Sequence, residues 1–146
     1  MKRLLAVAAL WIVLAGPAVA EEQVTGAAKA RGPETLAIAG ARIRLSGVTA
    51  PAETARCASD AGAAPCTEAA TAALEAFAAP GPVTCVKERR LGHGYFLGHC
   101  RTSDGTDPAE ALLQQGLLAP AAGNLPERYR NAVAQAQAAK RGVWGG

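Results

Sequence analysis

Four cysteines, Cys57, Cys66, Cys85 and Cys100, are the side chains of this 146-residue chain best suited to covalent chemistry. Their number is even, and thiols in an oxidising compartment pair. Val83-Thr84-Cys85-Val86 and Tyr95-Phe96-Leu97-Gly98-His99-Cys100 read as two strands around Leu91-Gly92-His93-Gly94, with Cys85 and Cys100 equidistant from the turn. Opposed residues of a hairpin can lie within the separation a disulfide tolerates, so the spacing favours Cys85 with Cys100 and leaves Cys57 with Cys66 to close a short loop. A zinc site is disfavoured, because no Cys-x-x-Cys spacing occurs and the two histidines stand out of ligand register.

The remaining candidates are charged or aromatic. Arg44 alternates with Ile43 and Leu45, the pattern of an outward residue on a half-buried strand. His93 sits in a Gly-His-Gly turn, where it is either an exposed tip or a ligand-facing imidazole. Glu34 follows Pro33 and is equally natural as a turn residue. Lys87, Arg89 and Arg90 form a short basic cluster of the kind usually found on a solvated hairpin tip. Tyr95 and Tyr129 would stack a base if both faced one cleft, although helical spacing makes Tyr129 a core residue, and aromatic residues are only 4% of the chain.

The elements that must position these groups begin after residue 20. Lys2-Arg3, the apolar run Leu4 to Leu14, Gly16-Pro17 and the small residues Ala18 and Ala20 make a signal peptide over residues 1–20, cleaved after Ala20. The mature segment, residues 21–146, has the length of one domain. The signal carries two of the fifteen basic residues and none of the twelve acidic ones, which leaves thirteen against twelve and a formal charge of +1. Such a balance does not favour a polyanion partner. A periplasmic or secreted protein is expected, with no stable membrane association once the signal is removed.

From Gln23 to Val48 the residues alternate, and Gly32-Pro33 and Ala39-Gly40 divide them into short strands, the clearest being Thr35 to Ile38 and Arg42 to Leu45. Val48 to Ala64 has no period and reads as a loop. After Pro65 a helix is expected, with Ala70, Ala73, Leu74 and Phe77 on one face. The hairpin carrying Cys85 and Cys100 follows. A second helix opens on Asp107 as N-cap, with Pro108 first and Glu110 three residues after the cap, and ends at Gly116. A third runs from about Pro126 to Arg141 with Tyr129, Val133, Ala136 and Lys140 sharing a face and Gly142 as the stop, after which Trp144 packs back on the core. Three strands, a helix, two strands and two helices suit a mainly β, α+β domain: a five-stranded OB-fold barrel with three helices.

In order and spacing the chain resembles the staphylococcal-nuclease-like (thermonuclease) family from about Val24 to Trp144. Gly32-Pro33-Glu34-Thr35-Leu36 stands where the family has Asp-Gly-Asp-Thr-Leu. Arg44-Leu45-Ser46-Gly47-Val48-Thr49-Ala50-Pro51 stands where it has Arg-Leu-x-Gly-Ile-Asp-Ala-Pro-Glu, and Arg90-Leu91-Gly92-His93 replaces Arg-Tyr-Gly-Arg. Gly116-Leu117-Leu118 and Gly142-Val143-Trp144 match the closing elements. Some relatives are associated with exopolysaccharide production.

The resemblance implies calcium-assisted cleavage of a phosphodiester, in which carboxylates hold the cation, a glutamate activates water and two arginines grip the phosphate. At the metal positions this chain places Glu34, Thr49 and the carbonyl of Ala50, so one of two acidic ligands is neutral. Ala52 occupies the general-base position, with Glu53 one residue later. Arg44 keeps one phosphate-binding arginine, and His93 replaces the other with a group that is neither permanently charged nor bidentate. Losing positioned base catalysis costs about two to four powers of ten in rate, and losing an electrostatic clamp costs roughly two to three more.

The expectation is an exported, monomeric nuclease-like domain with a degenerate site, acting as a binding or scaffold module. It takes no cofactor, or Ca2+ where the ancestral site survives, and its ligand is a weakly held nucleic acid or phosphate. The alternative is a residual or altered Ca-dependent phosphodiesterase using Arg44, Glu53 and His93 on DNA or RNA.

Overall fold

The computed structural model describes residues 11–17, 21–59 and 62–145. Most of the signal sequence read above, and its cleavage point after Ala20, lie outside the described residues. In chain order the elements are β1 (Gln23–Gly26), β2 (Ala28–Ala30), β3 (Thr35–Ile38), β4 (Ala41–Leu45), β5 (Val48–Thr49), β6 (Arg56–Ser59), β7 (Gly62–Pro65), α1 (Cys66–Ala78), β8 (Val83–Gly92), β9 (Tyr95–Arg101), α2 (Pro108–Gln114), β10 (Ala119–Pro120) and α3 (Glu127–Ala138), followed by a 3-10 turn over Gly142–Trp144.

Six of the strands form one sheet in the order β1-β8-β9-β4-β3-β2. Its two edges are consecutive in sequence: β1 pairs with β8 and β2 with β3, and Ala27 alone separates β1 from β2. A single bent strand therefore joins the edges and nearly closes the sheet into a barrel, leaving little unpaired edge. Counted as one strand it gives the five expected from sequence, and with three helices the fold is mainly β, α+β. The pairing of β4 with β9 is parallel, and the other pairs of this sheet are antiparallel.

Alternation decides what fills the barrel. Leu36, Ile38, Ile43, Leu45, Val83, Cys85, Phe96 and Cys100 are buried, while Arg42 and Arg44 between them face outward. Helix α1 adds Ala70, Leu74 and Ala78, with Ala73 and Phe77 packed partly buried against the same core, close to the face expected from sequence. Asp107 caps α2 as its type demands, accepting from the amides of Ala109 (2.9 Å) and Glu110 (3.3 Å). Gly116 ends α2 with φ 70°, the amides of Gly116 and Leu117 returning to the carbonyls of Leu113 and Leu112.

Both disulfides form as spaced, Cys57–Cys66 and Cys85–Cys100, and Cys85 and Cys100 are register partners across the hairpin. Three local readings are corrected. Residues 48–64 are not a loop throughout: β5 pairs with β10, and β6 pairs with β7 in a hairpin fixed by Cys57–Cys66. Small alanine-rich strands carry no apolar alternation, so their period is silent in sequence. Helix α3 ends at Ala138, and its left-handed stop is Lys140 (φ 52°) rather than Gly142, with the amides of Lys140 and Arg141 closing on Gln137 and Ala136. Lys140 is accordingly exposed, and Trp144 is only half-buried.

Candidate functional site

The outward face of β4 carries Arg42 and Arg44, set in register by the strands on either side. Arg44 lies opposite Thr35 of β3 and Leu97 of β9, and Arg42 lies opposite Tyr95. The turn between β8 and β9 reaches this face because a register shift between Arg90 and Gly92 bends β8, and the Arg42 amide donates to the Gly94 carbonyl (3.1 Å). Gly92, His93 and Gly94 all have left-handed φ, at 93°, 52° and 78°. For glycine this is free. For His93 it is a strained conformation that the turn imposes.

Together these segments enclose a cleft of about 390 Å³ lined by Arg44, Leu91, Gly92, His93 and Tyr95. Arg44 and His93, brought together here, are the two phosphate-facing positions read from the sequence. Among the described residues, no carboxylate lines this cleft. Tyr95 is held from outside it: Arg42 Nη1 donates to the phenolic oxygen (2.8 Å), and the guanidinium lies 5.2 Å from the ring centre. The partner of Arg42 was not evident from the sequence.

The other expected residues do not line this cleft. Glu34 directly precedes β3, and its carbonyl accepts from the Leu45 amide (2.8 Å), which puts it beside the strand of Arg44. Its Oε2 is buried and has no hydrogen-bond partner. Thr49 is exposed on β5, Ala50 follows it half-buried, and Glu53 is exposed in a turn closed by the Ala55 amide on the Ala52 carbonyl (2.9 Å). Among the described residues, no three His, Cys, Asp or Glu side chains are grouped to hold a metal ion. Tyr129 does not share the cleft with Tyr95; it is fully buried and donates to Asp107 Oδ2 (2.7 Å).

Two further groupings were not evident from the sequence. Glu88 stands in the bulge between Lys87 and Arg89, where it meets His99 Nε2 through Oε1 and accepts from Ser46 Oγ (2.9 Å) through Oε2. The serine bonds the carboxylate and not the imidazole, so this is not the nucleophile-base pair that activates a hydroxyl. Lys87 is also engaged, pairing with Glu22 (2.7 Å) and lying 4.1 Å from the Phe96 ring centre. Its ammonium holds the Glu22 carboxyl below the usual range. A larger depression of about 450 Å³ lies between Ala30 and α1. Its Glu75 already accepts from the Ala30 amide (2.7 Å) and from Lys29 (3.2 Å), which hold that carboxyl low.

Two buried disulfides suit an oxidising, extracytoplasmic compartment, and among the described residues no helix is long and apolar enough to cross a membrane. Fold and cleft thus define a disulfide-bonded extracytoplasmic barrel domain with a cationic depression on its outer face. No family model matches the chain. Over 135 residues, 91% of its length, it is 30% identical to the succinoglycan biosynthesis protein ExoI of Rhizobium meliloti (strain 1021), covering 71% of that protein. The chain belongs to the ExoI family.

Proposed function

We propose that this chain is an exported, nuclease-like binding module of exopolysaccharide production, which holds an anionic ligand in the Arg44–His93 cleft and does not cut phosphodiesters efficiently. The composition of the cleft carries the reading: among the described residues it offers a guanidinium, an imidazole and one aromatic ring, with no lining carboxylate to bind a cation or activate water. Kinship to a succinoglycan biosynthesis protein supports the setting. The signal peptide over residues 1–20 and the disulfides support the route.

A resident calcium ion is a poor fit. Glu34, Thr49 and the Ala50 carbonyl supply one negative charge, whereas Ca2+ takes six to eight oxygen ligands and its affinity follows carboxylate charge. The residual phosphodiesterase reading draws on one observation, the buried oxygen of Glu34 that has no hydrogen-bond partner.

Incubation of the purified protein with calcium and single-stranded DNA or RNA separates the two. The proposal expects no metal-dependent cutting and Arg44-dependent retention of inorganic phosphate. Calcium-dependent cutting that both Glu34→Ala and Arg44→Ala abolish would overturn it in favour of the enzyme.

A further inference from the structure

Within the cleft, Tyr95 is the group that an anion does not need. Arg42 donates to its hydroxyl and lies 5.2 Å from its ring centre without itself lining the cleft, so Tyr95 is held in place from outside the space it lines. An aromatic ring beside a guanidinium and an imidazole has two kinds of affinity. The ring takes an apolar face, and the guanidinium and imidazole take a carboxylate or phosphate.

We infer that the cleft is a saccharide subsite that takes one acidic sugar residue, its ring laid on Tyr95 and its carboxylate held by Arg44 and His93. This rests on the reading of the cleft as an anion-binding site and specifies the ligand. A cleft of about 390 Å³ is within the small-molecule range and suits a single ring with its substituent. Nucleic acid fits less well, because single-stranded nucleic acid is held by successive aromatic platforms and many phosphate contacts, and this cleft supplies one ring.

Titration calorimetry of the purified protein with an oligoglucuronate, a cello-oligosaccharide of equal length as its uncharged counterpart, inorganic phosphate and single-stranded DNA tests this. The oligoglucuronate is expected to bind at least about tenfold more tightly than the cello-oligosaccharide, since a hydrogen bond to a charged group is worth about one such factor or more. Tyr95→Leu should weaken oligoglucuronate about tenfold and leave phosphate within about threefold, whereas Tyr95→Phe, which keeps the ring, should stay within about threefold for both. Unchanged circular dichroism and phosphate binding show that Tyr95→Leu is folded. Phosphate or DNA binding without oligoglucuronate binding overturns the saccharide subsite but leaves the anion-binding reading intact. Equal affinity for the two oligosaccharides also overturns it. Binding of none of the four overturns both.

Discussion

Tyr129 donates a 2.7 Å hydrogen bond to the same Asp107 side chain that caps α2, so one buried carboxylate ties the start of that helix to α3. Arg128 adds a second donor to Oδ2 at 3.0 Å, and both carboxylate oxygens are occupied. Burial and then the hydrogen bond to Asp107 push the Tyr129 phenol above its ordinary range. Removing the hydroxyl in Tyr129→Phe leaves the ring in place and should cost about 1–3 kcal/mol in denaturant unfolding near neutral pH. The folded chain holds Tyr129 neutral, so its contribution is complete below the pH where an unfolded phenol ionises, about 10. It is lost as pH rises beyond that value toward the higher folded one. The gap between wild type and Tyr129→Phe should therefore narrow above pH 10, and a gap that widens there would refute the assignment.

The two disulfides should differ in what they hold. Cys85–Cys100 joins register partners of the barrel with a sequence separation of 15, and Cys57–Cys66 fixes the short β6–β7 hairpin with a separation of 9. Replacing both Cys85 and Cys100 with serine should cost about 3 kcal/mol or more on the chain-entropy scale, with the buried sites left imperfectly packed. The Cys57/Cys66 double replacement opens a shorter loop and should cost somewhat less, with amide exchange raised in β6, β7 and the first turn of α1, which Cys66 opens. Equal global losses in urea titrations of the two double variants would contradict this division.

Features settled by neighbouring residues were legible from the chain alone. Asp107, Pro108 and Glu110 announce a helix start because capping is completed within one turn, and Cys85 and Cys100 announce each other because a hairpin makes distance from its turn a register. Arg42 and Tyr95 could not be matched this way. Their contact crosses a parallel pairing between strands 53 residues apart, and alternation gives a side chain's face without naming the strand beside it. Glu88 was hidden for a related reason. A bulge shifts register by one residue, and only the folded hairpin shows that it turns Glu88 toward Ser46 and His99. Lys140 misled because a residue at helical spacing can serve as the left-handed terminus instead of a member of the helix face.

Gly98 shows how tightly the barrel closes at the parallel pairing. A Cβ added there would lie 2.5 Å from the Val86 carbonyl oxygen and 3.1 Å from Ile43 Cγ2, so neither β8 nor the inner residue of β4 leaves room for a methyl group. Gly98→Ala should cost about 2 kcal/mol or more through backbone displacement, and the Ser46 amide bond to the Gly98 carbonyl (2.9 Å) should loosen with it. A thermal melt unchanged from wild type would mean that β8 and β9 are less closely held than their register implies.

His93 allows stability and binding to be separated with one substitution. Its φ of 52° lies where a Cβ is disfavoured, and glycine would occupy it without that penalty. His93→Gly should therefore leave the fold as stable as wild type or stabilise it by up to about 1 kcal/mol, since the relieved strain is offset by the greater freedom of glycine in the unfolded chain. The same change removes one of the two groups that meet an anion in the cleft, and phosphate affinity should fall by about threefold to tenfold. Paired melts and phosphate titrations of the two proteins check both halves. A stable His93→Gly protein that binds phosphate as the wild type does would make the imidazole a passenger on the turn, and Arg44 would then hold the anion without it.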